Sequence, residues 1–300
     1  MHIRKGALIL KSLALVEVAA SLAPIKRQFH TFQRTSALFE TSSPLGGDFA
    51  GLDATFNPSD GTLIPIPVHL VEESLVEWGQ VPKCLETLVS EDLADDGATV
   101  ERNSIVVLPA TGCAVDNLET MKKSEKLDMS EKDISGDVIG VQYESGDKCY
   151  RLESIFGMDD GYRMRVVLDL IPCEEEMLTP KSPIHLHYER KTSEESTGGT
   201  RADGGGLDGR TVSGLLGPEL SKSKSFVEDE PRQKTHRSEG IRHIGLPGNV
   251  TISYSSPTSN SWTCDICHEL HDRIRGVTSA AIQFGGGDLD FDVEAWEGEY

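Results

Sequence analysis

Apolar side chains recur at every second position over most of the chain beyond residue 137, a period that belongs to strands rather than helices. In the run from Tyr162 to Leu170, the set Tyr162, Met164, Val166, Leu168 and Leu170 is apolar, while Arg163, Arg165 and Asp169 fall on the other face. Ile184, Leu186 and Tyr188 alternate with His185, His187 and Glu189, and Leu289, Phe291, Val293 and Ala295 alternate with Asp288, Asp290, Asp292 and Glu294. Each run predicts a strand with one face in a core and the other in water. Further strands are expected at Ser104–Leu108, Val138–Tyr143, Cys149–Phe156, Asn249–Ser255, Trp262–Leu270 and Val277–Phe284. Turn sequences such as Ser145-Gly146-Asp147 and Asp159-Asp160-Gly161 part them.

Helical spacing is convincing only at Val68–Trp78, where Leu70, Val71, Leu75 and Trp78 share a face beside Glu72, Glu73 and Glu77. A short helix is also expected near Thr211–Leu216. The fold class that follows is mainly β: an antiparallel meandering barrel with one or two short helices and a long flexible loop. That loop is an insertion at 193–240. It holds Gly198-Gly199 and Gly204-Gly205-Gly206, then a polar, charged stretch from Pro218 to Gly240. The strands after it are too few for a core of their own, so residues 40–300 are expected to form one domain.

The chain has 300 residues, with 29 Lys and Arg against 49 Asp and Glu and a formal net charge of -20. Such a surface repels polyanions, which excludes nucleic acid as the expected partner. No run of 18 apolar residues occurs, so no transmembrane segment is expected. Charge is uneven along the chain. Residues 1–39 carry Arg4, Lys5, Lys11, Lys26, Arg27 and Arg34 against Glu17 alone, leaving 23 of the 29 bases and 48 of the 49 acids to residues 40–300. A basic, acid-poor leader predicts an organelle targeting segment, with the chloroplast as the expected destination and the mitochondrion or secretion as alternatives. Lys11 and Glu17 interrupt the apolar run that secretion would need.

Cys264-Asp265-Ile266-Cys267-His268 has the C-x-x-C-H spacing of covalent haem attachment. With His271 it also offers thiolate and imidazole, the ligands zinc prefers. Strand alternation opposes both, because it puts Cys264 and His268 on one face and Cys267 and His271 on the other. The expectation is therefore no cofactor, with a haem or metal protein using Cys264, Cys267 and His268 as an alternative. The glycine-rich stretch lacks G-x-x-x-x-G-K-[ST], and no G-x-S-x-G occurs, so no catalytic motif is found. The acidic row Asp288, Asp290, Asp292 and Glu294 is expected to be a solvated outer face.

Asp48-Phe49-Ala50-Gly51, Leu63-Ile64-Pro65-Ile66-Pro67, Glu77-Trp78-Gly79 and Leu108-Pro109-Ala110-Thr111-Gly112-Cys113 occur in that order, followed by Glu153-Ser154-Ile155-Phe156, Gly161-Tyr162-Arg163-Met164-Arg165-Val166 and Leu246-Pro247-Gly248-Asn249-Val250. The series resembles uncharacterised plastid and cyanobacterial proteins with a lipocalin-like (calycin-type) barrel, over most of residues 36–300. The resemblance implies a cavity for a small hydrophobic ligand, such as a pigment, lipid or tetrapyrrole, and a non-enzymatic role. Inward-facing Tyr162, Met164, Val166, Leu186, Tyr188 and Trp262 are the candidate lining, unless they simply fill the barrel. The alternative is an acidic interaction or assembly protein that engages a basic protein partner through the 193–240 loop.

Overall fold

The computed structural model describes residues 45–296, less 96–98, 111–117, 129–137, 146–148, 173–177, 181–182, 193–208, 223–225, 228–230, 232–233, 239–240, 256–260, 271–272 and 286–287. The leader at 1–39 lies outside the described residues. The described chain is mainly β, as the alternation predicts, and its strands form two antiparallel sheets. The first contains β1 (Gly47–Phe56), β2 (Leu85–Leu93), β3 (Thr99–Val107), β4 (Thr120–Asp128), β5 (Val138–Ser145), β6 (Cys149–Gly157), β7 (Tyr162–Pro172), β8 (Leu178–Pro180) and β9 (Ile184–Lys191). The second contains β10 (His236–Ser238), β11 (Ile241–Leu246), β12 (Val250–Ser255), β13 (Ser261–Leu270), β14 (Arg273–Gly285) and β15 (Asp288–Trp296) in sequence order.

The first sheet runs β4-β3-β2-β1-β9-β7-β6-β5, with β8 on β7. This is a meander whose last long strand returns to pair with its first, Phe49 opposite Lys191 through to Phe56 opposite Ile184. The sheet is curled. Strands β3 and β6 stand five places apart, which in a flat sheet would separate them by about 24 Å. Arg102 of β3 nevertheless donates to Glu153 of β6 at 2.6 Å, so the sheet closes on itself as a half-barrel. Its edges β4 and β5 approach within 8 Å, Cα to Cα.

The outward face of this curl is apolar and is covered. Ala50, Leu52, Ala54 and Phe56 of β1, Leu88 of β2, Leu152 and Phe156 of β6, Met164, Val166 and Leu168 of β7, and Ile184 and Leu186 of β9 belong to one core. The second sheet joins that core through Ile244, Leu246, Val250, Ile252, Cys264 and Ile266. Close approach has a backbone requirement at Gly248, in the turn before β12. Its φ is +70°, and a Cβ there would stand 2.5 Å from the Met164 methyl carbon.

Helix α2 (Gly209–Lys222) adds Val212, Leu215 and Leu216 to the same core, so the described part of the 193–240 insertion is built into the fold. The helix kinks at Gly217 (φ 70°, ψ 168°), a conformation open essentially to glycine, and Pro218 keeps its predecessor out of the helical region. Arg190 Nη2 donates to the freed Leu215 carbonyl at 2.8 Å. The helix expected at Val68–Trp78 is instead a single 3-10 turn, Val68–Leu70, and a short α1 (Glu73–Glu77). The break is tertiary in origin: the Glu72 N–H donates to the Pro109 carbonyl at 3.2 Å, Val71 is extended and buried, and Val68 and Trp78 are left exposed. No helix among the described residues is long and apolar enough to cross a membrane.

Candidate functional site

Because the sheet curls, the alternate positions that the sequence assigns to water face the half-barrel's interior. Arg163 is 1 % exposed and Glu189 0 %. One end of this interior is sealed by Leu45, Val100, Leu127 and Ile155. Above that plug lie six charges in a closed ring. Arg102 Nε donates to Glu91 at 2.8 Å, and its two terminal nitrogens donate to Glu153 at 3.0 and 2.6 Å. Arg163 donates to Glu91 through both terminal nitrogens, at 2.7 and 3.0 Å, and through Nε to Glu189 at 2.6 Å. Arg165 closes the circuit, donating to Glu189 at 2.8 Å and standing 3.7 Å from Glu153.

Three carboxylates and three guanidiniums alternate, so the ring is formally neutral. Burial alone would raise the Glu91 and Glu189 carboxyls, but the guanidiniums outweigh it and hold both at about 2. Glycine makes the room: a Cβ on Gly51 would lie 2.6 Å from Glu189 Cγ and 2.9 Å from the Tyr188 carbonyl.

Beyond the ring the interior opens into a cavity of about 200 Å³. Val89, Val106 and Val167 are its aliphatic walls, and the rest of the lining is polar or charged. Arg151 donates to Asp169 at 2.6 Å and to Glu125 at 3.0 Å, and Lys123 is paired with Glu125. Three further side chains meet where β1 and β9 pair. Asp53 lies opposite His187, and His185 and His187, two apart on a strand, share its inward face. Asp53 Oδ1 stands 3.4 Å from His185 Nδ1 and 3.7 Å from His187 Nδ1. The two imidazoles stack with centroids 6.1 Å apart. His187 Nδ1 is buried and has no hydrogen-bond partner. Burial, reinforced by Arg165, keeps His187 neutral by pushing its pKa well below the usual value. Burial opposes ionisation of Asp53 too, but its carboxyl is held at about 2, with the His185 contact and the Arg165 guanidinium lowering it.

Five of the six side chains expected to line a cavity lie on the other face. Met164, Val166 and Leu186 are inside the core between the sheets, and Tyr162 and Tyr188 pack against it, stacked at 5.5 Å. Trp262 falls on β13 opposite Ile282, with its side chain outside the described residues. Strand β13 also separates the cysteines as the alternation predicts. Cys264 and His268 are buried, His268 against Phe156 at 5.4 Å, while Cys267 is half-buried on the other face. His271, the glycine-rich stretch at 193–208 and the side chains of Asp288, Asp290, Asp292 and Glu294 lie outside the description. Sequence reasoning missed Asp53, His185 and His187. The His-x-His spacing on a strand was their signal, hidden by the assumption that the polar face is wet.

No family model matches this chain, and no curated protein matches it. Among solved structures, it is similar to a protein of unknown function from the DUF3598 family of Nostoc punctiforme PCC 73102, at 11 % identity over 86 % of this chain and 92 % of that one, with a TM-score of 0.29. It is also similar to MucB in complex with MucA(peri), at 8 % identity over 84 % of this chain and 87 % of that one, with a TM-score of 0.17. Neither likeness bears on the residues of the cavity.

Proposed function

We propose that this protein is a binding barrel for a small, polar, hydrogen-bonding molecule. The observation that carries the reading is the cavity of about 200 Å³, in whose lining seven charged side chains, two histidines, Thr87 and Ser104 accompany three valines. An apolar pigment or lipid would strip water from those groups and return no hydrogen bonds, a cost on the order of 2–7 kcal/mol per uncompensated group. A solute with its own donors and acceptors replaces that water at little loss. The volume falls below the roughly 300–1,000 Å³ of pockets that take drug-sized ligands, which points to a molecule of amino-acid or small-carboxylate size. Its cations are already paired with carboxylates, so the lining offers balanced charge and favours a zwitterion or hydroxy acid over a polyanion. The basic leader at 1–39 fits delivery of such a binder to a plastid.

The test is a thermal-shift series on the full chain with glycine, succinate and lactate as polar probes and palmitate as the apolar probe, repeated on Ser104→Phe, which fills the cavity. A saturable rise in Tm with at least one polar probe, lost in Ser104→Phe, is expected. Binding of palmitate alone, or a lipid that co-purifies, would overturn the reading.

A further inference from the structure

We propose that Asp53, His185 and His187 form a binding site for a divalent transition-metal cation of the zinc class, with one coordination position open to the cavity. The proposal rests on the polar cavity being reachable by small solutes, and it adds a cofactor that the ligand reading does not require. Two imidazoles and one carboxylate are the donors that suit borderline metals, whereas calcium and magnesium demand oxygen ligands. In a tetrahedral site with bonds of about 2.1 Å, neighbouring ligand atoms stand about 3.4 Å apart. Asp53 Oδ1 lies 3.4 and 3.7 Å from the two imidazole Nδ1 atoms, and the three donor groups all fall within 4.8 Å of one another.

The hydrogen-bond pattern points the same way. A purely structural Asp-His pair would satisfy its partners, but the His185 contact is long for a hydrogen bond and the His187 contact is beyond reach. His187 Nδ1 is left buried and unpartnered, and a cation would satisfy it together with both neighbours. Arg165, which lines the same cavity, is already held by Glu189. Three strands contribute to this end of the interior: β1 supplies Asp53, β9 supplies both histidines and β7 supplies Arg165, so the donors sit on paired, rigid backbone. Three protein ligands with a fourth position facing open space is the arrangement of a site that binds an exchangeable water or solute.

The experiment is calorimetric titration of the chelator-stripped full chain with zinc chloride, paired with the absorption spectrum of its cobalt(II) form. One equivalent of zinc is expected. Affinity should fall by more than about 100-fold in His187→Gln, in His185→Gln and in Asp53→Asn, since loss of a ligand exceeds the usual effect of losing a supporting residue. The double variant Cys264→Ser with Cys267→Ser should bind as the parent does. Far-UV circular dichroism and Tm of each metal-free variant establish that it is folded. No zinc binding by the parent overturns the proposal. So does binding that survives the double replacement of His185 and His187, or a cobalt spectrum with thiolate charge-transfer bands that disappear without Cys267. If zinc does not bind but the stripped chain still shows its Tm rise with the polar probes, the metal site fails while the binding barrel stands; absence of both responses sinks both.

Discussion

The half-barrel interior contains two polar layers that share strand β9, and they behave oppositely. In the ring of Glu91, Arg102, Glu153, Arg165, Glu189 and Arg163, every charge faces partners of opposite sign on both sides. Two and four residues from Glu189 along β9, His187 and His185 meet Asp53 of β1 but leave a buried ring nitrogen unpaired. The ring borders the cavity with its charges paired, whereas the second layer meets the cavity unsaturated. Position along the barrel, rather than residue type, separates a brace from a site: saturated charge holds the strands together, and unsaturated polarity is what a ligand or cation can complete.

That contrast can be broken most severely with acid. Glu91 and Glu189 have folded pKa values lowered to about 2 from 4.5, so they bind protons more readily in the unfolded chain. Their contribution is complete above about pH 4.5 and is lost as pH falls towards 2. Two carboxylates are unloaded together, so acid unfolding followed by circular dichroism should begin below pH 4.5; a Tm unchanged from pH 6 to pH 3 would contradict the ring. Next in size, Glu153→Gln leaves the buried Arg102 and Arg165 short of a counter-charge. A loss of about 3–5 kcal/mol in urea unfolding is expected, the range for breaking a buried pair from one side.

Gly51→Ala tests the same brace by crowding. The new methyl meets Glu189 Cγ and the Tyr188 carbonyl, and displacing them should cost about 1–3 kcal/mol. The smallest effect belongs to the second layer. His187→Gln should shift metal-free stability by less than about 1 kcal/mol, since no hydrogen bond of Nδ1 is lost. Zinc at about 100 times its Kd should stabilise the parent by about 2.7 kcal/mol and this variant hardly at all. Equal zinc stabilisation of the two proteins would erase the distinction between the layers.

Much of the architecture is legible in the residues. The alternation along β7, β9 and β13 marks the strands and sorts their side chains into two faces, and it separates Cys264 from Cys267. Strands β1, β2 and β4 are harder to see. Glycine and alanine dilute the pattern in Gly47–Phe56, and Thr120–Asp128 is almost wholly polar. The site was less legible than the fold. Asp53 sits 132 positions from His185, and only the β1-β9 pairing that closes the meander makes them neighbours.

By itself, the sequence determined the strand period, the mainly β class and the two chemically distinct faces of each strand, because these depend on local geometry that repeats every two residues. Which face meets water was decided by the tertiary structure. Curling the first sheet turned its polar face inward and left its apolar face to be covered by α2 and the second sheet. The physical reason is that alternation specifies two faces but carries no sign of curvature. Charge can occupy the inside of a barrel when strands far apart in the sheet supply its counter-charge, and those pairings exist only once the sheet has closed.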